Sequence, residues 1–269
     1  MSFTSQRTPE PAIHIESVQE FYTVILEYYD ELFPLKETCL DFFLMLQREF
    51  QDTCPVQPAP LCRFLGIGSA TGNLENKLSA HGLDITGIDK NPDMIETAKR
   101  RMKRGSSTLR FFEMSALDMK RFLKKGSFNI ISCINNVIPY ISDETLLRKF
   151  FHDAKELLAP SGKFVIQTLN FDYLEKHKQK RLPDLKSIRV TLERDCIPGE
   201  DGLLTLDATL ELGSGRKIIL QKNTRLVPTT VSRLESYARE AGFTGISLYG
   251  DFDLSPWTDE SPSTIMVLY

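Results

Sequence analysis

The stretch Leu61-Cys-Arg-Phe-Leu-Gly66-Ile-Gly68-Ser-Ala-Thr-Gly72-Asn-Leu-Glu passes from an apolar, strand-like run through closely spaced glycines into a helix-forming one. A strand that feeds a tight glycine turn and then a helix lets a ligand approach both backbone and helix start, at the carboxyl edge of a parallel sheet. A second apolar run, Leu83–Ile88, ends at Asp89, about 20 residues on, where a carboxylate can accept both hydroxyls of a ribose. Together they predict a nucleoside site. Three other glycine motifs are excluded. The dinucleotide fingerprint would need a third glycine at Thr71, no Gly-Lys-Ser/Thr phosphate loop is present, and Ser69 follows Gly68 directly, so no hydrolase elbow forms.

The surrounding pattern agrees with an α/β chain. Residues 16–50 carry Phe21, Ile25, Leu26, Tyr29, Leu40, Phe43, Leu44 and Leu46 at helical spacing, with a break at Phe33-Pro34. Cys54–Pro60 holds three prolines and reads as a linker. From 61 onward, strands at Leu61–Leu65, Leu83–Ile88, Leu109–Phe112, Phe128–Cys133 and Lys163–Thr168 alternate with helices. Asn91-Pro92 starts one helix and Ser142 caps a longer one that stops at Pro160-Ser-Gly162. This predicts a doubly wound parallel sheet. Over 187–227 the period changes to alternation, through Ile188, Val190, Leu192, Leu204, Leu206, Ala208, Leu210, Leu212 and Ile218–Leu220, which predicts an inserted antiparallel meander. A helix at Thr230–Ala241 and strands near Ile246–Tyr249 and Thr264–Leu268 close the pattern. The expected division is an N-terminal helical cover (1–55), an α/β core (56–170), the meander (171–228) and a C-terminal completion of the core sheet (229–269).

Composition narrows the partners. Lys plus Arg total 33 against 36 Asp plus Glu, a net charge of −3, which gives no global field for nucleic acid or an anionic membrane. The basic runs Lys99–Arg104 and Lys176–Arg181 read as solvated segments. The cysteines Cys39, Cys54, Cys62, Cys133 and Cys196 are scattered, as are His14, His81, His152 and His177, so neither a metal site nor a disulfide framework is expected. With no signal-peptide core and no apolar run of membrane length, the expected location is the cytoplasm.

The glycine turn resembles the first motif of class I S-adenosylmethionine-dependent methyltransferases, and four further segments continue the resemblance in order. Ile88-Asp89-Lys90-Asn-Pro-Asp-Met94 is similar to the ribose- and adenine-binding second motif. Phe111-Phe-Glu-Met-Ser115-Ala116 is similar to the third-strand edge, Phe128–Asp143 with Asn135, Asn136, Pro139 and Tyr140 to the fourth-strand motif, and Leu157–Ile166 to the turn into the fifth strand. Tyr28-Tyr29-Asp30-Glu-Leu-Phe-Pro34, the Asn136–Tyr140 segment and the meander look like the glycine N-methyltransferase-like, small-molecule branch. Three positions depart from the family: Gly66 stands where an acid usually helps hold the methionine amino group, Ala70 replaces the middle glycine, and Ser115 sits where an Asp often contacts adenine.

The resemblance implies a Rossmann-like, mostly parallel seven-stranded sheet and methyl transfer to a small molecule by in-line displacement, without a metal. It assigns S-adenosylmethionine to Gly66, Gly68, Gly72, Asp89, Lys90, Met94, Ser115, Ala116 and Asn135, with S-adenosylhomocysteine as product. Asn136, Tyr140 and Tyr29 are expected to position the reactants, and Asn136, Tyr140 and Asn170 to meet the acceptor. No His–carboxylate pair suggests a general base. Asn136-Val-Ile-Pro139-Tyr140 lacks the paired prolines of nucleobase amino-methyltransferases. An RNA or protein methyltransferase and a catalytically silent binding protein remain the alternatives, and the oligomeric state is open.

Overall fold

The computed structural model describes residues 13–14, 18–103, 105–199 and 201–269. The polar start (1–12), residues 15–17 and Arg104 of the first basic run lie outside them. The chain begins with β1 (Ile13–His14), α1 (Val18–Ile25), a single 3-10 turn, α2 (Tyr29–Leu32) and α3 (Glu37–Thr53). The α/β portion follows: β2 (Arg63–Ile67), α4 (Asn73–Ser79), β3 (Asp84–Asp89), α5 (Pro92–Arg101), β4 (Leu109–Glu113), α6 (Met119–Phe122), β5 (Phe128–Cys133), α7 (Glu144–Leu157) and β6 (Leu158–Leu169). Next come α8 (Phe171–Lys176), β7 (Arg181–Lys186), β8 (Val190–Pro198), β9 (Leu204–Leu212) and β10 (Lys217–Leu226). The chain ends with α9 (Val231–Glu240), β11 (Ile246–Tyr249) and β12 (Ser263–Leu268).

The main sheet runs β11-β12-β6-β5-β2-β3-β4, with β6, β5, β2, β3 and β4 parallel and β12 antiparallel to β6. This is the doubly wound, seven-stranded sheet that the alternation predicts. Its strands are apolar on both faces because both are covered. Along β2, Phe64 joins Phe43, Leu74 and Leu78 on the α3–α4 side, while its neighbour Leu65 joins Phe150, Phe151 and Tyr237 on the α7–α9 side. Ile130 and Ile131 of β5 divide the same way, as do Ile265 and Met266 of β12. The order of winding reverses between β2 and β5. The loops after these two strands therefore diverge and open the crevice where ligands of such sheets bind.

The second sheet, β1-β10-β9-β8-β7, is the inserted meander, antiparallel throughout except that β1 adds to β10 in parallel. That added strand joins residues about two hundred positions apart and has no local sequence signal. Val190, Leu192, Ala208, Leu210 and Leu220 pack on Phe21, Ile25, Tyr29 and Leu32, so the meander and N-terminal helices form one cover with its own core, which also reaches Ala70 and Met94. Polar ties fix the cover in place. Arg189 bonds Glu27 (2.6 Å) and Glu31 (2.5 Å) and lies over the Tyr28 ring, while Asp30 accepts from Thr71 Oγ1 (2.7 Å) and pairs with Arg101.

Several boundaries move. β2 begins at Arg63, whose N–H donates to Asn129 Oδ1, leaving Leu61 exposed. The cap of α7 is Asp143, which accepts from the Leu146 N–H, rather than Ser142. β6 starts at Leu158 because a bulge, with Ser161 at φ +60°, carries the strand through Pro160-Ser-Gly162. The meander begins at Arg181, and Ile188, expected to face inward, is fully exposed at the β7–β8 turn, where pairing has ended.

Candidate functional site

The turn after β2 is tied to β3. The N–H groups of Gly68 (2.9 Å) and Ser69 (3.0 Å) donate to the Ile88 carbonyl, and the Ala70 N–H donates to Asp89 Oδ2 (2.9 Å). Asp89 Oδ1 accepts from the Asn91 N–H at 2.9 Å. Each carboxylate oxygen thus spends one lone pair on the fold and keeps another for a ligand hydroxyl. Burial raises the Asp89 pKa, opposed by these two backbone bonds and by Lys90. Asn91 caps α5 through the Met94 N–H (3.0 Å), which sets the buried Met94 beside Asp89.

Three adjoining cavities open along the crevice. The first, of about 250 Å³, is walled by Gly68, Ala70, Asp89, Lys90 and Met94 on one side and by Met114, Ser115, Ala116 and Leu117 on the other. The second, of about 540 Å³, shares Gly68 and Ala70 and continues past Ser69 and Glu75 to Asn135, Asn136 and Gln167. The third is small, about 50 Å³, and aromatic: Phe21, Tyr22, Tyr29, Phe33 and Tyr140 surround it, with Asn135, Asn136 and Arg194. Tyr29 and Asn135 line all three, so the cavities converge on these two residues.

The structure sorts the residues picked from sequence. Gly68, Asp89, Lys90, Met94, Ser115, Ala116, Asn135, Asn136, Tyr140 and Tyr29 line the cavities. Gly66, Gly72 and Asn170 do not. Gly72, at φ +69°, lets the turn pass close to β4 and α5: a Cβ there would stand 2.6 Å from Phe111 Cζ and 2.8 Å from Ala98 Cβ. Asn170 is buried and fully engaged, accepting from the Tyr173 N–H and donating toward the carbonyls of Thr258, Asp259 and Ser261, so it clamps a loop instead of facing an acceptor. Asn136 also works partly for the fold. It sits at φ +62° and its Oδ1 accepts from the Leu169 N–H at 2.5 Å.

Three residues that the sequence reading passed over belong here. Tyr22 of α1 is hydrogen-bonded to Tyr140, and burial holds its hydroxyl well above the ordinary tyrosine range. Arg194 of β8 reaches the second and third cavities, donates to the Pro183 carbonyl and keeps its Nε buried without a hydrogen-bond partner. Glu75 of α4 is 4% exposed, and burial pushes its carboxyl up to about 8.

Residues 64–162 match the family described as a methyltransferase domain. Over this segment the sequence is that of a methyltransferase domain. A Geobacillus sp. (strain WCH70) protein named as a methyltransferase is 22% identical over 75% of this chain and 79% of its own length. The chain spans less than half the length of the next curated relatives it matches. Among solved structures, an S-adenosylmethionine-dependent methyltransferase from Clostridium acetobutylicum superposes with a TM-score of 0.72 at 15% identity, covering 92% of this chain and 98% of that one. A sugar N-methyltransferase from Streptoalloteichus sp. superposes with a TM-score of 0.58 at 16% identity, covering 99% and 98%. The methyltransferase fold thus extends over the cover as well as the matched domain. Beside Asp89, whose carboxylate keeps spare lone pairs, the turn holds a buried Ser69 Oγ without a hydrogen-bond partner and the buried carboxyl of Glu75. Among the described residues no His, Cys, Asp or Glu cluster is arranged to hold a metal ion, and no helix is long and apolar enough to cross a membrane.

Proposed function

We propose that the protein transfers a methyl group from S-adenosylmethionine to a small molecule held in the aromatic cavity under the cover. The observation that carries this reading is the convergence of a nucleoside-sized cleft and a small aromatic cavity on Tyr29 and Asn135. In this reading Asp89 takes the ribose hydroxyls, while Met94, Ser115 and Ala116 flank the base. When bound, the donor supplies a sulfonium-activated methyl carbon. Tyr29, Asn135, Asn136 and Tyr140 then hold the acceptor in line and exclude water. Alignment of that kind contributes on the order of 7–11 kcal/mol to such reactions.

The cavity's chemistry narrows the acceptor. Tyr22, Tyr29 and Cys196 keep their protons near neutral pH and so offer no base: burial raises the Tyr22 and Tyr29 hydroxyls, and pushes the Cys196 thiol up to about 11. His81, His152 and His177 lie elsewhere, on the exposed surface. An acceptor atom that already carries a free lone pair, a neutral amine or a carboxylate oxygen, suits a site without a base. Arg194 supports an acceptor that also has a polar or anionic handle.

Against a polyanionic acceptor, several cations of the basic runs are paired within the chain. Arg101 bonds Asp30, Lys176 bonds Asp259 (2.6 Å) and Glu260 (3.0 Å), and Arg181 bonds Asp184 (3.0 Å). The test is transfer of tritiated methyl from S-adenosylmethionine to a panel of small amines and carboxylates, run beside bulk RNA and protein. Label is expected in a small-molecule product separated by chromatography from the unreacted donor. Label confined to macromolecules would overturn the small-molecule reading.

A further inference from the structure

Gly66 and Glu75 occupy one place. A Cβ built on Gly66 would overlap the Glu75 Oε1 and stand 3.0 Å from its Cδ, so the helix side chain fills the space in front of the strand's missing one. Glu75 belongs to the first turn of α4, which starts directly after the glycine turn, and its side chain folds back over the end of β2 instead of out to solvent. That choice is expensive for a carboxyl. No cation pairs with it among the described residues: its pKa is raised by burial first and then by the charge of Asp89, opposed by its own backbone N–H. The cations that share its cavity are committed elsewhere or distant in chemistry. Lys36 bonds Asp251 at 2.8 Å and Lys186 faces Asp184 at 3.6 Å, while Arg194 serves the aromatic cavity.

A buried, cation-free carboxyl holds its proton, and a positive group that enters the cavity beside it favours the ionised form and is held by it. The cavities say where that group comes from. Gly68 and Ala70 line both the Asp89 cavity and the Glu75 cavity, so a ligand with its ribose at Asp89 that extends across the turn ends beside Glu75. The donor has one ammonium, on its amino-acid arm, at the far end from the base. Resting on the methyl-donor reading above, we propose that Glu75 is the anionic anchor for that ammonium, delivered from helix α4 to the position that Gly66 leaves free. The same geometry separates Glu75 from the acceptor, because it does not line the aromatic cavity.

The test compares Glu75→Gln with the unmodified protein, using two probes that share the adenosine but differ in the arm. S-adenosylhomocysteine carries the ammonium and 5′-methylthioadenosine does not. Glu75→Gln is expected to weaken S-adenosylhomocysteine at least about tenfold, the scale of a lost buried charge pair. Affinity for 5′-methylthioadenosine should stay within about threefold. The ligand-free variant should melt no lower than the parent, which shows that it folds. Equal losses for both probes, or none for either, would overturn the anchor, as would a fall in turnover with unchanged S-adenosylhomocysteine affinity. If the unmodified protein binds neither probe, the donor reading fails first and takes the anchor with it.

Discussion

Asp89→Ala is expected to weaken S-adenosylhomocysteine by about two orders of magnitude or more. Two hydrogen bonds from ribose hydroxyls to an ionised carboxylate contribute roughly 1.5–3 kcal/mol each, and every 1.4 kcal/mol is tenfold in affinity. The carboxylate is already oriented by the Ala70 and Asn91 N–H groups, both at 2.9 Å, so it pays little ordering cost on binding. Removing it also orphans those two N–H groups, which loosens the turn that carries Gly68 and Ser69. Fold stability should fall less than affinity does, because burial already disfavours the charged Asp89 in the ligand-free protein. Calorimetric titration with a parallel melt separates the two effects. Unchanged affinity would remove Asp89 from the site.

A second large effect concerns pH. Glu75 has an ordinary value of 4.5 when the chain is unfolded and titrates at about 8 when folded. A raised carboxyl pKa means that the native state holds a proton the unfolded state has lost, so stability falls as pH rises between these values. From pH 5 to 8 the ligand-free protein should lose up to roughly 3–4 kcal/mol through this group. The groups that face it cannot rescue it: Asp89 adds like charge, and Tyr29 of α2 and Cys39 of α3 are themselves raised in part by Glu75. Denaturant titrations across this range should show the loss in the parent and a flatter profile in Glu75→Gln. Saturation with S-adenosylhomocysteine should flatten the parent too, since an ammonium beside Glu75 favours its ionised form. Parallel profiles for parent and variant would show that Glu75 does not titrate this way.

How much of this was legible beforehand depends on distance along the chain. The glycine turn, Asp89 and the Asn91-Pro92 helix start are local patterns, and each stands where its spacing predicts. The change from helical to alternating period likewise marked the meander. What escaped are contacts between distant segments. Tyr22 sits on a helix whose apolar spacing looks like ordinary core, and only the fold brings it to Tyr140. Arg194 shares the inward register of the buried Val190, Leu192 and Cys196 on β8, but only the fold shows which cavities that face lines. Glu75 looks like a favourable acid in the first turn of a helix. The one available signal was its complement, a glycine at 66 in place of a side chain, which becomes meaningful only when the helix is folded back over the strand. Asn170 is the reverse case. It lies at the ligand-bearing edge of the sheet, but its amide nitrogen is spent on the loop at 258–261 and its oxygen on the Tyr173 N–H.

The central claim is that the crevice between the β2 and β5 loops receives a sulfur nucleoside. Calorimetric titration of the unmodified protein with S-adenosylhomocysteine, with NAD run alongside, tests it most directly. A single saturable site for S-adenosylhomocysteine and none for NAD is the predicted result. Absence of binding to S-adenosylhomocysteine, or equal binding of NAD, would contradict the account.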